Sequence, residues 1–560
     1  MKFKKVTASL LVLAMSTALL AGCGNAKEEN KTASAGTENG NEEAADGVVE
    51  FTFYNQDGKA DPWTDPVALA ITEKTGVKLK TDYPVAANDT KVALMLADQK
   101  YPDLIFAKGE VSQLIEVGAM VDMSELIEEY GPNIKKMYGD EFDKLRYSKD
   151  NPAIYQLSAY PVKEQYFESS GTCQIQYDVL KANDWKVPDT LDEYEKMIKD
   201  YLAANPTTED GLERIGITID SANWYNSLGN PAGFIAEGEP DNGQWLIDEE
   251  YNAHYKFGSE KIREYFKWLN RMYAEGILDP EFATQTHEDY IAKIASGRVV
   301  ALTDAGWNYR DAEKVLKQDG KMGATYAGLP VTIDENTKSA AMMYQGLTTG
   351  MGVGITIDCA DPVKAVKFLD FLCSDEGQIL TYWGIEGVNY TVDENGKRVR
   401  TQEEIDASLN DSEYGNRTGI GLHGYPFPSY GPGVMDETGS PYRAGGSKED
   451  TVAAYNEIQK EACEGMGVEA LTDIFPSRDE FETPKYSPVW AYTKPAEFDE
   501  IVKQLDEVAW PGLIKCVTCP KADFDQAYDE MMAELESCGM AEAEEILSGI
   551  VKDKVAQVAD

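Results

Sequence analysis

Cys23 is the residue whose setting says most about chemistry. It follows a basic start (Lys2, Lys4, Lys5), an apolar run from Val6 to Leu20, and the small residues Ala21 and Gly22. That order predicts a bacterial secretory signal over residues 1–22, cut so that the Cys23 thiol stands at the new N-terminus. The other cysteines are Cys173, Cys359, Cys373, Cys463, Cys516, Cys519 and Cys538. They are odd in number and scattered, which predicts buried free thiols and not a disulfide framework. Cys516-Val517-Thr518-Cys519 has the spacing of a redox pair or half a zinc site. A zinc site would need a second pair, and only the lone Cys538 lies near in sequence. His254, His287 and His423 are widely separated, without metal-ligand spacing. No Gly-x-Ser-x-Gly elbow, His-Glu-x-x-His or phosphate loop occurs. Among 98 acidic residues, chance carboxylate pairs carry no weight for a glycosidase. Catalysis is therefore not predicted, and neither is a metal or a cofactor.

Leu20-Ala21-Gly22-Cys23 resembles the lipobox of bacterial lipoproteins, in which that cysteine takes up a diacylglycerol. Residues 23–47 then lack aromatics and are rich in Asn, Glu, Ala, Gly and Ser, so they are predicted to form a flexible tether. The resemblance implies a body anchored by lipid at the outer face of a bacterial membrane. The acidic tether and short lysine-rich signal suit a Gram-positive cell. The roughly 510 residues that follow exceed what one hydrophobic core supports, so at least two lobes are expected. An apolar fraction of 42% and nine Trp suffice to fill them. No second long apolar run follows the signal to span a membrane. The formal charge of −46 becomes −49 once the three signal lysines are removed, and such a surface excludes nucleic-acid binding. It also disfavours anionic ligands unless a local basic pocket overrides the field.

The elements that must position any site begin at Val49. Val49, Phe51 and Phe53 alternate with Glu50 and Thr52, predicting a strand that ends in the turn Tyr54-Asn55-Gln56-Asp57-Gly58. A helix from about Thr64 to Gly76, a strand at Val77–Leu79, a helix near Thr90–Asp98 and a strand at Asp103–Phe106 follow. This βαβαβ rhythm predicts a mostly parallel sheet, with ligands at the carboxyl ends of its strands, Tyr54–Gln56 and Ala107–Glu110. Thr190-Leu191-Asp192-Glu193 reads as a capping box opening a helix with Leu191, Tyr194, Met197, Ile198 and Tyr201 inward. Asp361-Pro362 opens another helix. Asn395-Gly396 marks a hairpin turn. The region Asp523 to Val558 is predicted to be helical.

Several segments together resemble the extracellular solute-binding lipoproteins of ABC importers, of the type that binds sugars and oligosaccharides. They are Tyr101-Pro102-Asp103-Leu104-Ile105, Gly118 to Ser124, Val187-Pro188-Asp189-Thr190-Leu191-Asp192-Glu193, and Ala365 to Tyr390. The resemblance implies an α/β, two-lobed clamp of the type-II periplasmic-binding-protein kind, with discontinuous lobes joined by a hinge. Lobe 1 is expected to comprise 48–170 and 345–388, and lobe 2 to comprise 171–344 and 389–560. The chain would cross between lobes near Glu168–Tyr177, Met343–Ile357 and Gly387–Val392. The resemblance also implies capture of a carbohydrate by a monomer that delivers it to ABC permease subunits. A peptide or other small solute is the alternative, and a surface glycan-active enzyme a more distant one. The family often carries a calcium loop. Its counterpart here, 205–216, has lost most oxygen ligands and gained Arg214, so no strong calcium site is expected.

Sugars present flat C–H faces and many hydroxyls, so their site wants aromatic platforms and planar hydrogen-bonding groups. The candidate platforms are Trp63, Trp224, Trp307 and Trp383, all in turn-rich settings. The polar candidates are Tyr54, Gln56, Glu110, Asn308, Tyr344, Gln345 and Glu386.

Overall fold

Alternating burial builds the first strand as predicted. In β1 (Val49–Asn55), Phe51 and Phe53 are buried while Glu50 and Thr52 are exposed. The computed structural model describes residues 47–558 apart from 60, 85–89, 168–170, 221, 224 and 412. The signal, Cys23 and nearly all of the expected tether lie outside the described residues, as does Trp224.

Strands β2 (Val77–Asp82) and β3 (Leu104–Phe106) each follow a helix and pair parallel with β1. Next come β4 (Leu157–Ser158), β5 (Cys173–Gln176), β6 (Ile215–Ile217), the hairpin β7 (Trp245–Ile247) and β8 (Ala253–Tyr255), then β9 (Val299–Thr303), β10 (Tyr326–Leu329) and β11 (Gly352–Ile355). One sheet has the order β2-β1-β3-β11-β4, a second the order β10-β5-β9-β6. Both are mixed, against the expectation of mostly parallel strands. β11 runs antiparallel to β3 and β4, and β5 runs antiparallel to β9 and β10. The reason is connectivity. Parallel pairing needs a crossover returning to the same sheet, whereas the chain reaches β5 from the first sheet and β11 from the second. β1 is pinned to β3 by Asp103, whose carboxylate accepts from the Thr52 backbone N–H (2.8 Å) and hydroxyl (2.7 Å).

Helix ends follow local chemistry. The helix Pro66–Thr75 is capped by Asp65, not Thr64, with the Asp65 carboxylate accepting from Ala68 N–H, and it stops at Gly76 with φ +67°. Thr190 caps Leu191–Ala204, whose five predicted inward residues are all buried. Glu193 reaches the backbone N–H of Asp189 instead of closing a box on Thr190. The hairpin strands Thr391–Val392 and Arg398–Val399 close around a turn with Gly396 at φ +82°. The C-terminal region is two helices, Phe524–Ser537 and Met540–Val558, broken where Gly539 takes φ +95°. Among the described residues no helix is long and apolar enough to cross a membrane.

Two large cores organise the body. Phe51, Phe53, Leu104, Val353 and Leu369 belong to the first. Ile175, Ile217, Phe266, Leu505 and Tyr528 belong to the second. The chain passes from the first to the second between β4 and β5 and returns between β10 and β11. Beyond the hairpin that follows residue 390, aromatic residues pack on the first core. Phe427 packs on Phe53 (ring centroids 5.3 Å apart) and Phe368 (5.9 Å), and Tyr430 stacks on Tyr442 at 4.4 Å. These aromatic contacts hold Phe427, Tyr430 and Tyr442 on the first core. Ala462 is already in the second core. The Met540–Val558 helix then reaches back, and Lys554 Nζ donates to the carbonyls of Arg146 (2.5 Å) and Tyr147 (2.7 Å).

Candidate functional site

The carboxyl ends of β1 and β3 lie side by side, as the parallel register requires. Gln56 N–H donates to Phe106 O (3.0 Å), and Gln56 Nε2 donates to Glu110 Oε2 (2.7 Å). These two sequence-predicted residues therefore meet. Beside them Lys108 Nζ pairs with Asp57 Oδ1 at 2.5 Å, and Tyr425 donates its hydroxyl to Asp57 Oδ2 at 2.8 Å. The Tyr425 ring stands edge-on to Phe106 (5.5 Å) and Tyr160 (6.2 Å). Tyr160 follows β4 and meets Trp490 edge-on at 5.3 Å. Burial, followed by the charge of Asp57, pushes the Tyr160 phenol up to about 12.

Trp490 sits in the turn Val489–Ala491, whose neighbours Val489 and Tyr492 belong to the second core. Its Cβ and the Tyr225 hydroxyl both crowd Gly243. A Cβ on Gly243 would collide with the Tyr225 hydroxyl, so this close approach requires glycine, and its φ of +67° suits one. Asp241, two residues earlier, accepts from Gly243 N–H (2.9 Å), and burial raises its pKa. The Gln345 carboxamide lies against the Asp241 backbone.

Gln345 also lines a cavity of about 480 Å³ beside the segments that join the two cores. Its wall includes Glu164, Tyr166, Phe234, Trp307, Arg310 and Met342. Trp307 is 55% exposed, an uncommon state for a tryptophan with a wide apolar face. It is held there by its neighbour. Asn308 Nδ2 donates to Asp304 Oδ2 (2.7 Å) and Asp220 Oδ2 (3.1 Å), fixing the first turn of the helix Gly306–Gln318. Tyr290 and His287 complete that cluster, Tyr290 OH on Asp304 and His287 Nδ1 on Asp220. Burial outweighs these hydrogen bonds and raises Asp304 to about 6. Asn308 is therefore a positioning residue.

Three buried polar atoms of these walls have no protein partner: Gln56 Oε1, Glu164 Oε2 and Trp490 Nε1. Burial raises the Glu164 pKa against the pull of Tyr166, Arg443 and Arg478. Tyr344 spends its hydroxyl on Val162 O (2.9 Å), and its ring carries the Arg478 guanidinium at 4.4 Å.

Other predicted candidates are placed elsewhere. Tyr54 is buried in a small core with Val92, Ile105 and Leu114. Trp63 is buried in the first core, its indole N–H on Thr72 Oγ1 (2.9 Å) and its ring on His423 (4.5 Å). Trp383 is buried too, donating to Pro441 O (2.8 Å), with Arg398 over its ring at 5.0 Å. A buried ring with a satisfied N–H is packing, whatever its turn-rich sequence setting. Glu386 is exposed beside Tyr390. Asp57, Tyr160, Tyr425, Trp490 and Arg310 stand near these candidates without having been singled out in the sequence. The first was legible as part of the strand-end turn.

In the 205–216 stretch Arg214 lies over the Tyr201 ring at 5.2 Å. Among the described residues, the grouping of His and carboxylates close enough to share an ion is Asp61, Asp65 and His423. Here they form ion pairs, His423 Nε2 to Asp65 Oδ2 at 2.7 Å and Nδ1 to Asp61 Oδ2 at 3.4 Å. Cys516 and Cys519 are free thiols at a helix end, where Cys519 Sγ bonds the Cys516 carbonyl.

Residues 67–398 match the family described as bacterial extracellular solute-binding protein. The fructooligosaccharide ABC transporter substrate-binding protein FusA of Streptococcus pneumoniae is 24% identical over 318 residues, 52% of this chain and 56% of that protein. The chain thus spans just over half the length of that curated relative. Lipoprotein LipO of Bacillus subtilis is 19% identical over 397 residues, 68% of this chain and 73% of that one. An HMO-binding, ABC-transporter-associated solute-binding protein from Bifidobacterium longum infantis superposes with a TM-score of 0.66 at 16% identity, covering 92% of this chain and 99% of that structure. That likeness establishes the shared two-lobed α/β fold.

Proposed function

Because the chain belongs to the bacterial extracellular solute-binding proteins, we propose that it captures a carbohydrate, of oligosaccharide size, in the cleft between its two cores. It then presents that sugar to the membrane subunits of an ABC permease. Binding and lobe closure do the work, and no covalent change in the ligand is called for. A thioether-linked lipid on Cys23 and the tether after it would hold a monomer at the outer face of the membrane. The lobes are residues 48–170 with 345–442, and 171–344 with the remainder after the third crossing.

One observation carries this reading. The exposed Trp307 lines one cavity with Glu164, whose Oε2 has no partner, and the rings of Tyr160, Tyr425 and Trp490 meet one another, Trp490 keeping an unpartnered indole N–H. Stacking faces next to unmet donors and acceptors fit a ring with apolar C–H faces and hydroxyls. The relatives named for sugar ligands point the same way. The test is a thermal-shift screen of the purified chain against mono-, di- and oligosaccharides, peptides and amino acids. A ligand at 100 times its Kd adds about 2.7 kcal/mol to stability, which a melting curve resolves easily. A sugar hit without hydrolysis products supports the reading. A response to peptides alone, or cleavage of the sugar, overturns it.

A further inference from the structure

We propose that the sugar bound here carries a carboxylate, as a uronic acid does, and that Arg310 receives it. This deepens the receptor reading and rests on it. The argument is one of charge placement. The chain has 98 acidic and 52 basic residues, so its cations have acids to spare as partners. Many are taken up that way: Lys199 by Glu195 and Glu275, Arg263 by Asp525 and Asp529, Arg271 by Glu195. Arg310 is not. Among the described residues it has no ion pair and no hydrogen-bond acceptor, although it is exposed in the wall of the cavity that Trp307 also lines. The adjacent Asp311 is engaged by Lys314 at 2.9 Å. Asp304 and Asp220 are held beneath by Asn308.

Two more guanidiniums, Arg478 and Arg443, lie near Glu164, which lines that cavity, although neither lines it itself. Arg478 donates to the Glu164 carbonyl (2.7 Å) and lies over Tyr344. Arg443 donates to Tyr430 O, Ser429 Oγ and Tyr382 OH, none of them charged. Glu164 is the acid they face, and burial works against its ionisation. A guanidinium offers two parallel N–H donors that match a carboxylate fork, and its neighbour three residues back supplies a stacking face. In a protein of charge −46, an anionic ligand needs such a locally positive wall to enter at all.

The experiment titrates the purified chain with matched sugars by calorimetry: trigalacturonate against its methyl ester, glucuronoxylotetraose against xylotetraose, and sialyllactose against lactose. A tripeptide with a free carboxyl terminus is included. The expected result is that an acidic sugar binds about tenfold or more tighter than its neutral partner, that added salt narrows the gap, and that R310Q closes it to within about threefold. Arg310 has no partner to lose, so R310Q folds, and circular dichroism checks that. Neutral sugars binding as well as acidic ones would overturn the charge assignment while leaving the sugar receptor standing. Binding of the peptide and of no sugar would overturn both. An acidic preference that survives R310Q but falls in R478Q would overturn the assignment to Arg310.

Discussion

The ring of Tyr160, carried by the first core, meets the ring of Trp490, carried by the second, edge-on at 5.3 Å. Trp490 keeps a buried indole N–H without a partner. On the proposed function, such a contact would lie between the lobes and border the ligand. W490A is expected to weaken sugar binding by about 1–3 kcal/mol, roughly fivefold to 150-fold. Y160F keeps the ring and removes only the hydroxyl, so it is expected to lose less. Calorimetric titration with the sugar found in the thermal screen measures both, and equal Kd values for W490A and wild type would remove Trp490 from the site.

Trp307 and Trp63 separate binding from folding. Trp307 is 55% exposed at the cavity, whereas Trp63 is 5% exposed with its N–H satisfied by Thr72. W307A should leave urea stability within about 0.5 kcal/mol of wild type and lower sugar affinity by about 1–2 kcal/mol. W63A should destabilise by about 3–5 kcal/mol through the cavity it leaves. If W307A unfolds as readily as W63A, the placement of Trp307 as a free stacking platform is wrong.

These two residues also mark how far the sequence could be read. Periodicity found β1, the helix after Thr190 and the parallel start of the first sheet, because burial there repeats every two or every 3.6 residues. It placed Gln56 with Glu110 because parallel strands β1 and β3 end together. It could not rank Trp63, Trp307 and Trp383, since a turn-rich neighbourhood is shared by rims and cores. Exposure depends on what arrives from afar: His423 covers Trp63, and Pro441 covers Trp383. The Tyr160–Trp490 contact joins residues more than three hundred positions apart. The late passage between cores was hidden for the same reason, because Phe427 is held by Phe53 and Phe368, neither near it in sequence.

Asp304 gives one pH signature. Its folded pKa is raised by burial to about 6 from an ordinary 3.8. A raised folded pKa means the stabilising contribution is complete below the unfolded value and is lost as pH rises through the folded one. Wild type should therefore lose stability relative to D304N as pH goes from about 4 to 6, by up to about 3 kcal/mol. Urea unfolding of the two proteins across that window tests it. Parallel curves would mean that Asp304 is ionised at no cost, and that its bonds to Asn308 and Tyr290 already compensate burial.

His423 gives a second signature in a different window. Burial alone would depress the imidazole, but hydrogen bonds and charge from Asp61 and Asp65 outweigh it and hold the pKa at about 9, above the ordinary 6.5. The stabilisation is thus fully present below about pH 6.5 and disappears as pH rises through 9. Its size is about 3 kcal/mol at most. H423Q removes the cation and leaves Asp61 and Asp65 facing each other, so it should be destabilised at pH 6.5 and lose little further by pH 9.5. Wild type should lose stability over the same span. Because Asp65 also caps Pro66–Thr75 and His423 packs tilted against Trp63, the loss should loosen the loop that follows β1, read as faster amide exchange at Ala68 and Leu69. Wild type holding its stability to pH 9.5 would show that the ion pairs, despite their geometry, contribute nothing that neutral imidazole does not.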